Sequence, residues 1–201
     1  MPLTIADRGE HNTIHIPPSI LAEGNGVIVL NGNRATLEIA DGCMLNGVSI
    51  TLGDDCALMA EANCRLAALE VYAAGGGRVR IGSNSNFTDR TRLFLHEPST
   101  ITIGRDCLFA ADTLLCTSDM HSVLDRDTGK RINPPADIAI GDKVWIGHGV
   151  SVMKGTVIGT GAAIGIASVV TGMIDPFTMS AGSPARCRRR NITWDARLLP
   201  L

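Results

Sequence analysis

The sequence predicts an all-β fold, one solenoid of short parallel strands, and three observations point to it. Ile140, Ile146, Val152, Ile158, Ile164 and Val170 place a β-branched residue at every sixth position without a break, the hexapeptide period of a β-helix. Glycine follows the aliphatic residue at Gly141, Gly147, Gly159 and Gly165, and a small or β-branched residue stands four on at Val144, Val150, Thr156, Ala162 and Ser168. Aromatic residues make up only 3% of a chain that is 45% apolar, so its interior is narrow and filled by Ile, Val, Leu, Ala and Cys.

The hexad has a geometric meaning. Side chains alternate along a strand, so the aliphatic residue and the one two before it face inward while the residue between them points out. Glycine-containing corners turn the chain, and three edges close a triangular coil of about 18 residues. The pattern returns at Ile81, Phe87 and Leu93, at Ile103, Phe109 and Leu115, and less regularly at Ile39, Leu45, Leu52 and Leu58. About eight such coils make a prism roughly 40 Å tall. No polar linker divides the chain, so residues 1–201 read as a single domain. Residues 1–20, with Pro17 and Pro18, and the tail 176–201 are the expected caps on the open ends.

The cysteines fit the same frame. Cys43, Cys56 and Cys107 fall four residues after Ile39, Leu52 and Ile103, and Cys64 falls six after Leu58, which makes them core filler. No Cys-x-x-Cys pair occurs, so they read as thiols of a reducing compartment. A net charge of -2 argues against nucleic-acid or anionic-membrane binding. The first residues lack a signal-peptide pattern and no stretch approaches the length of a membrane span. A cytoplasmic protein is expected.

One interruption breaks the repeat. Ile103 and Ile140 are 37 residues apart; if they share an edge of successive coils, a coil of about 18 is followed by an insertion of about 19. The insertion falls in 117–137, a polar segment holding Gly129, Pro134 and Pro135 that must project from the prism. Long projecting loops in compact domains are often functional. Trp145 sits one before Ile146, the outward position of its strand, where no core needs an indole.

Three motifs carry a resemblance: Asp119-Met120-His121-Ser122, then Ile140-Gly141-Asp142-Lys143-Val144-Trp145-Ile146-Gly147, then Ala181-Gly182-Ser183-Pro184-Ala185-Arg186. Together with the ending Arg189-Arg190-Asn191-Ile192-Thr193-Trp194, they resemble the hexapeptide-repeat acyltransferases, most closely those that O-acetylate capsular or lipopolysaccharide sugars. The likeness is strongest over 101–194. It implies a left-handed parallel β-helix, a homotrimer with sites between subunits, acetyl-CoA as donor, no metal, and a sugar or polysaccharide acceptor. It also implies His121 as general base and Trp145, 24 residues on, beside the thioester.

The chemistry is consistent with that implication. A thioester already has a good leaving group, and the sluggish partner is the neutral hydroxyl, so a base is what the reaction lacks. Asp119 is a candidate to fix the tautomer of His121, and a backbone N–H near Trp145 could hold the oxyanion. Carried over by position, Trp145, His148, Ile166, Thr171, Arg186 and Arg189 are the expected coenzyme A contacts, with the two arginines suited to phosphates. Gly172 stands where the family often has Lys, with Arg188 or Arg190 as replacements. Lys154 is a further candidate for the donor groove, and Asn84, Asn86 and Asp89 for acceptor hydroxyls. A small sugar, a nucleotide sugar or an antibiotic is the alternative acceptor. The zinc site of γ-type carbonic anhydrases is disfavoured, because His96, His121 and His148 are scattered rather than paired five apart.

Overall fold

The computed structural model describes residues 2–200, which wind as a left-handed parallel β-helix of about eight turns. Each turn lays one short strand on each of three faces. Face I runs from Thr13–His15 through Arg78–Ile81, Thr100–Ile103, Ile138–Ile140 and Val157–Ile158 to Met173–Ile174. Face II includes Asn86–Phe87, Leu108–Phe109, Trp145–Ile146, Ala163–Ile164 and Thr178–Ala181. Face III includes Leu3–Asp7, Asn25–Leu30, Arg92–Leu95, Leu114–Cys116, Ser151–Met153 and Val169–Val170.

The inward positions are those the hexads mark. Ile81, Phe87 and Leu93 are fully buried, as are Ile146, Val152 and Val170, each contributing about 1.5–3 kcal/mol of apolar burial. Phe87 and Phe109 stack across neighbouring coils with ring centroids 4.6 Å apart. Cys43, Cys56, Cys64 and Cys107 are buried and free. Burial pushes the Cys107 thiol up to about 11, so it is packing rather than a reactive group.

Coil length changes along the chain. Ile140 stands opposite Ile158, a step of 18, whereas Ile81 stands opposite Ile103, a step of 22. The longer N-terminal coils carry extra residues, which is why their hexads look irregular. Ile103 does pair with Ile140, so the coil bearing the projecting segment spans 37 residues, 19 more than the coil of 18 after it and 15 more than the coil of 22 before it. Corner residues Asn63, Asn84, Asp106 and Lys143 all take positive φ, 51° to 62°, a conformation Asn and Asp tolerate better than most residues. Asn84 also donates to Asp106 Oδ1 at 3.1 Å, a corner-to-corner link that accounts for it structurally.

At the N-terminal end, Leu3–Asp7 already pairs in register with Asn25–Leu30, and the helix Pro18–Glu23 turns Ile20 inward. Pro18 suits a first helical turn, where its missing N–H costs nothing. At the other end, Arg186–Arg190 folds back antiparallel on Thr178–Ala181. No helix among the described residues is long and apolar enough to cross a membrane.

Candidate active site

Segment 117–137 leaves the prism at the corner between faces III and I and is clamped there from two coils. From the preceding coil, Glu97 accepts Arg131 Nη1 at 2.5 Å and Nη2 at 2.8 Å, and Ser118 Oγ donates to the same carboxylate. From the following coil, Lys154 Nζ donates to Asp119 Oδ2 at 2.5 Å and to the Pro134 carbonyl at 3.0 Å. Asn133 joins the two arms: its Nδ2 donates to Asp119 Oδ2 and to the His121 carbonyl, each at 2.8 Å, and its Oδ1 accepts the Val123 N–H at 2.7 Å. His121 itself is exposed, and among the described residues its ring makes no hydrogen bond. Asp119 therefore spends its carboxylate on Lys154 and Asn133, and Lys154 anchors the segment instead of lining a groove.

These anchors are ionised over a wide pH range. Arg131, then Ser118, hold the Glu97 carboxyl down at about 2, and Lys154, then Asn133, hold Asp119 below the usual carboxylate range.

Trp145 stands on face II, the side of the triangle opposite that corner. Its outward column reads Asn86, Leu108, Trp145, Ala163, Met179 and Arg189 in register. Trp145 is 42% exposed, and Asn86 Oδ1, two coils before it, is buried without a partner. His148 and Ile166 stack at the next corner, between faces II and III, where the Ala167 N–H donates to the His148 carbonyl at 2.8 Å. Ile166 is 69% exposed, and His148 Nε2 lies 3.7 Å from Asp112 Oδ2.

Thr171 falls on the corner of the projecting segment, one coil beyond Lys154. Beside it Gly172 has φ 73° and open space where a Cβ would go, so a lysine there would meet backbone strain rather than a clash. Of the arginines, Arg190 pairs with Asp175 at 2.8 Å and Arg188 bonds the Ala181 carbonyl at 3.3 Å. Arg186 is exposed with one nitrogen on the Ala185 carbonyl, and Arg189 makes no side-chain hydrogen bond among the described residues.

The tail then retraces the corner between faces I and II. Ile192 N–H donates to the Phe177 carbonyl at 3.0 Å and Trp194 Nε1 to the Lys143 carbonyl at 2.7 Å, which sets the two indoles 6.3 Å apart.

The sequence-predicted residues thus form two groups. His121, Asp119 and Thr171 share the corner between faces III and I. Trp145, His148, Ile166, Arg186 and Arg189 lie on or beside face II. Among the described residues no hydrogen bond or ring contact joins His121 to Trp145.

No family model matches this chain. The solved structure of the polySia specific acetyltransferase NeuO superposes with a TM-score of 0.87 at 30% identity, covering 98% of this chain and 90% of that one. The putative lipopolysaccharide biosynthesis O-acetyl transferase WbbJ of Escherichia coli K12 is 30% identical, covering 62% of this chain and 78% of its own length. The chain belongs to the hexapeptide-repeat acyltransferase family. A polysialic acid O-acetyltransferase of Escherichia coli O1:K1 is 34% identical over 62% of this chain, and the match spans 40% of that relative's length.

Within this acyltransferase fold, sequence reasoning missed Glu97, Arg131, Asn133 and the return of Trp194. Glu97 and Arg131 are 34 residues apart, and their pairing depends on a coil length the hexads do not reveal. Lys154 left one visible trace, a charge interrupting an apolar coil. Among the described residues no group of three or more His, Cys, Asp and Glu side chains could hold a metal ion.

Proposed function

We propose that this chain is an acetyl-CoA-dependent O-acetyltransferase acting on a hydroxyl of a surface polysaccharide sugar, with its site assembled between subunits of a homotrimer. The observation that carries this reading is the division of the site: a rigidly held loop offers an unpartnered His121 ring at one corner, and the opposite face offers Trp145 above Ala163, Met179 and Arg189. One chain does not close the site, and threefold packing supplies the missing half.

His121 takes the proton of the acceptor hydroxyl as the hydroxyl oxygen attacks the thioester carbonyl carbon. A backbone N–H beside Trp145 steadies the oxyanion, which collapses with loss of the coenzyme A thiolate, and His121 returns the proton to that thiolate. Base catalysis of this kind is worth about 10² to 10⁴ in rate. The donor arm runs along the small and apolar column of face II, past His148 and Ile166, with Thr171 at the neighbouring corner. Its phosphates meet Arg186 and Arg189, which among the described residues have no carboxylate partner, as Arg190 has in Asp175. Six free cysteines suit a reducing cytoplasm.

The polysaccharide acceptor is supported by what the relatives' names say of them, polysialic acid and lipopolysaccharide. The test is thiol release from acetyl-CoA against sialic-acid polymers, lipopolysaccharide fragments and simple sugars. Acceptor-dependent release that is lost in His121→Ala is the expected result; undiminished turnover in His121→Ala would remove the mechanism.

A further inference from the structure

We propose that Asn133 is the positioning residue of the site: it sets the place of His121 without touching the reactants. This rests on His121 being the base. Four hydrogen bonds converge on one amide. Nδ2 holds the Asp119 carboxylate before His121 and the His121 carbonyl itself, and Oδ1 holds the Val123 N–H after it and Arg131 Nε at 3.2 Å. The backbone on both sides of the histidine is therefore fixed by a residue on the returning arm of the loop.

That arm is in turn fixed to the prism at two independent points. Arg131 forks onto Glu97 of the preceding coil while also donating to the Asn133 carbonyl at 3.0 Å, and the Pro134 carbonyl accepts Lys154 of the following coil at 3.0 Å. Asn133 sits between these anchors and passes their rigidity to His121. A carboxamide is required: Asp119 needs a donor and Val123 an acceptor on the same side chain, which neither Asp nor Leu supplies. Among the described residues neither imidazole nitrogen has a partner, so within the chain the ring is oriented by the backbone that carries it.

Misplacing a catalytic group by about 1 Å costs roughly 100-fold in rate. Asn133→Ala should lower kcat about 10- to 100-fold with the KM for acetyl-CoA unchanged, since no donor contact is lost. Asn133→Asp keeps the acceptor but sets a carboxylate against Asp119, and should lose as much while remaining folded. The deciding measurement adds each substitution to His121→Ala, with spontaneous hydrolysis subtracted. If Asn133 acts through His121, the double variant is no slower than His121→Ala alone. A kcat within twofold of the parent in both single variants, or the same fold-loss repeated in the His121→Ala background, would overturn the proposal. High turnover in His121→Ala alone would instead sink the base assignment.

Discussion

Trp194 donates its indole N–H to the Lys143 carbonyl at 2.7 Å, in the corner that leads directly into the strand bearing Trp145. The tail thereby sets one of the chain's two tryptophans 6.3 Å from the other, tilted at 45°. Ile192 and Trp194 give the tail two fixed points along this corner, so its path is built in.

If Trp145 flanks the thioester, Trp194 supports it from behind. Trp194→Ala should raise the KM for acetyl-CoA about 3- to 10-fold with little change in melting temperature, because the ring removed lies on the surface. Initial rates at varied acetyl-CoA check this. An unchanged KM would reduce Trp194 to a surface contact.

Arg186 and Arg189 differ from Arg190, whose guanidinium is paired with Asp175, in making no ion pair among the described residues. Arg186→Ala with Arg189→Ala should weaken coenzyme A binding by at least about 10-fold in calorimetry, and more at low salt than at high salt. Arg190→Ala, which only releases Asp175, should leave binding within about twofold. Equal effects from both variants would dissolve the distinction.

The loop anchors carry a pH signature. Glu97 is held at about 2, below its ordinary value near 4.5. A lowered value means its contribution is complete above about pH 4.5 and is lost as pH falls towards 2, and Asp119 is displaced in the same direction. Hydrogen exchange at the amides of Val123 and Ile132, corrected for intrinsic rate, should show constant protection from pH 7 to 5 and progressive loss below pH 4.5. In Glu97→Gln that step should shrink. Loop protection that changes between pH 6 and 8 would contradict this account of the anchors.

Much of this was legible in the sequence, because a solenoid writes its period directly into the chain. From Ile140 to Val170 successive coils step by 18 residues, shortening to 16 at the last turn, and inward and outward positions could be assigned by counting, Trp145 included. Before Ile103 the coils lengthen to 21 and 22, as Leu58 opposite Val79 and Ile81 opposite Ile103 show, and the hexads blur. The position of the loop followed from the gap in the repeat, but its anchoring did not. Glu97, Arg131 and Asn133 meet through stacking of corners far apart in sequence, and nothing in their local surroundings marks them. The tail after Asn191 carries no hexad, so the return of Trp194 to Lys143 had no periodic signal.

The most direct test of a site shared between subunits is complementation. His121→Ala and Trp145→Ala chains, each inactive alone, are co-expressed with different tags and mixed trimers isolated. If His121 of one subunit works with Trp145 of its neighbour, each mixed trimer holds one complete site of its three, and activity should recover to about a third of that of the parent enzyme. Mixed trimers that remain as inactive as either variant would place both residues in one chain's site and contradict the account.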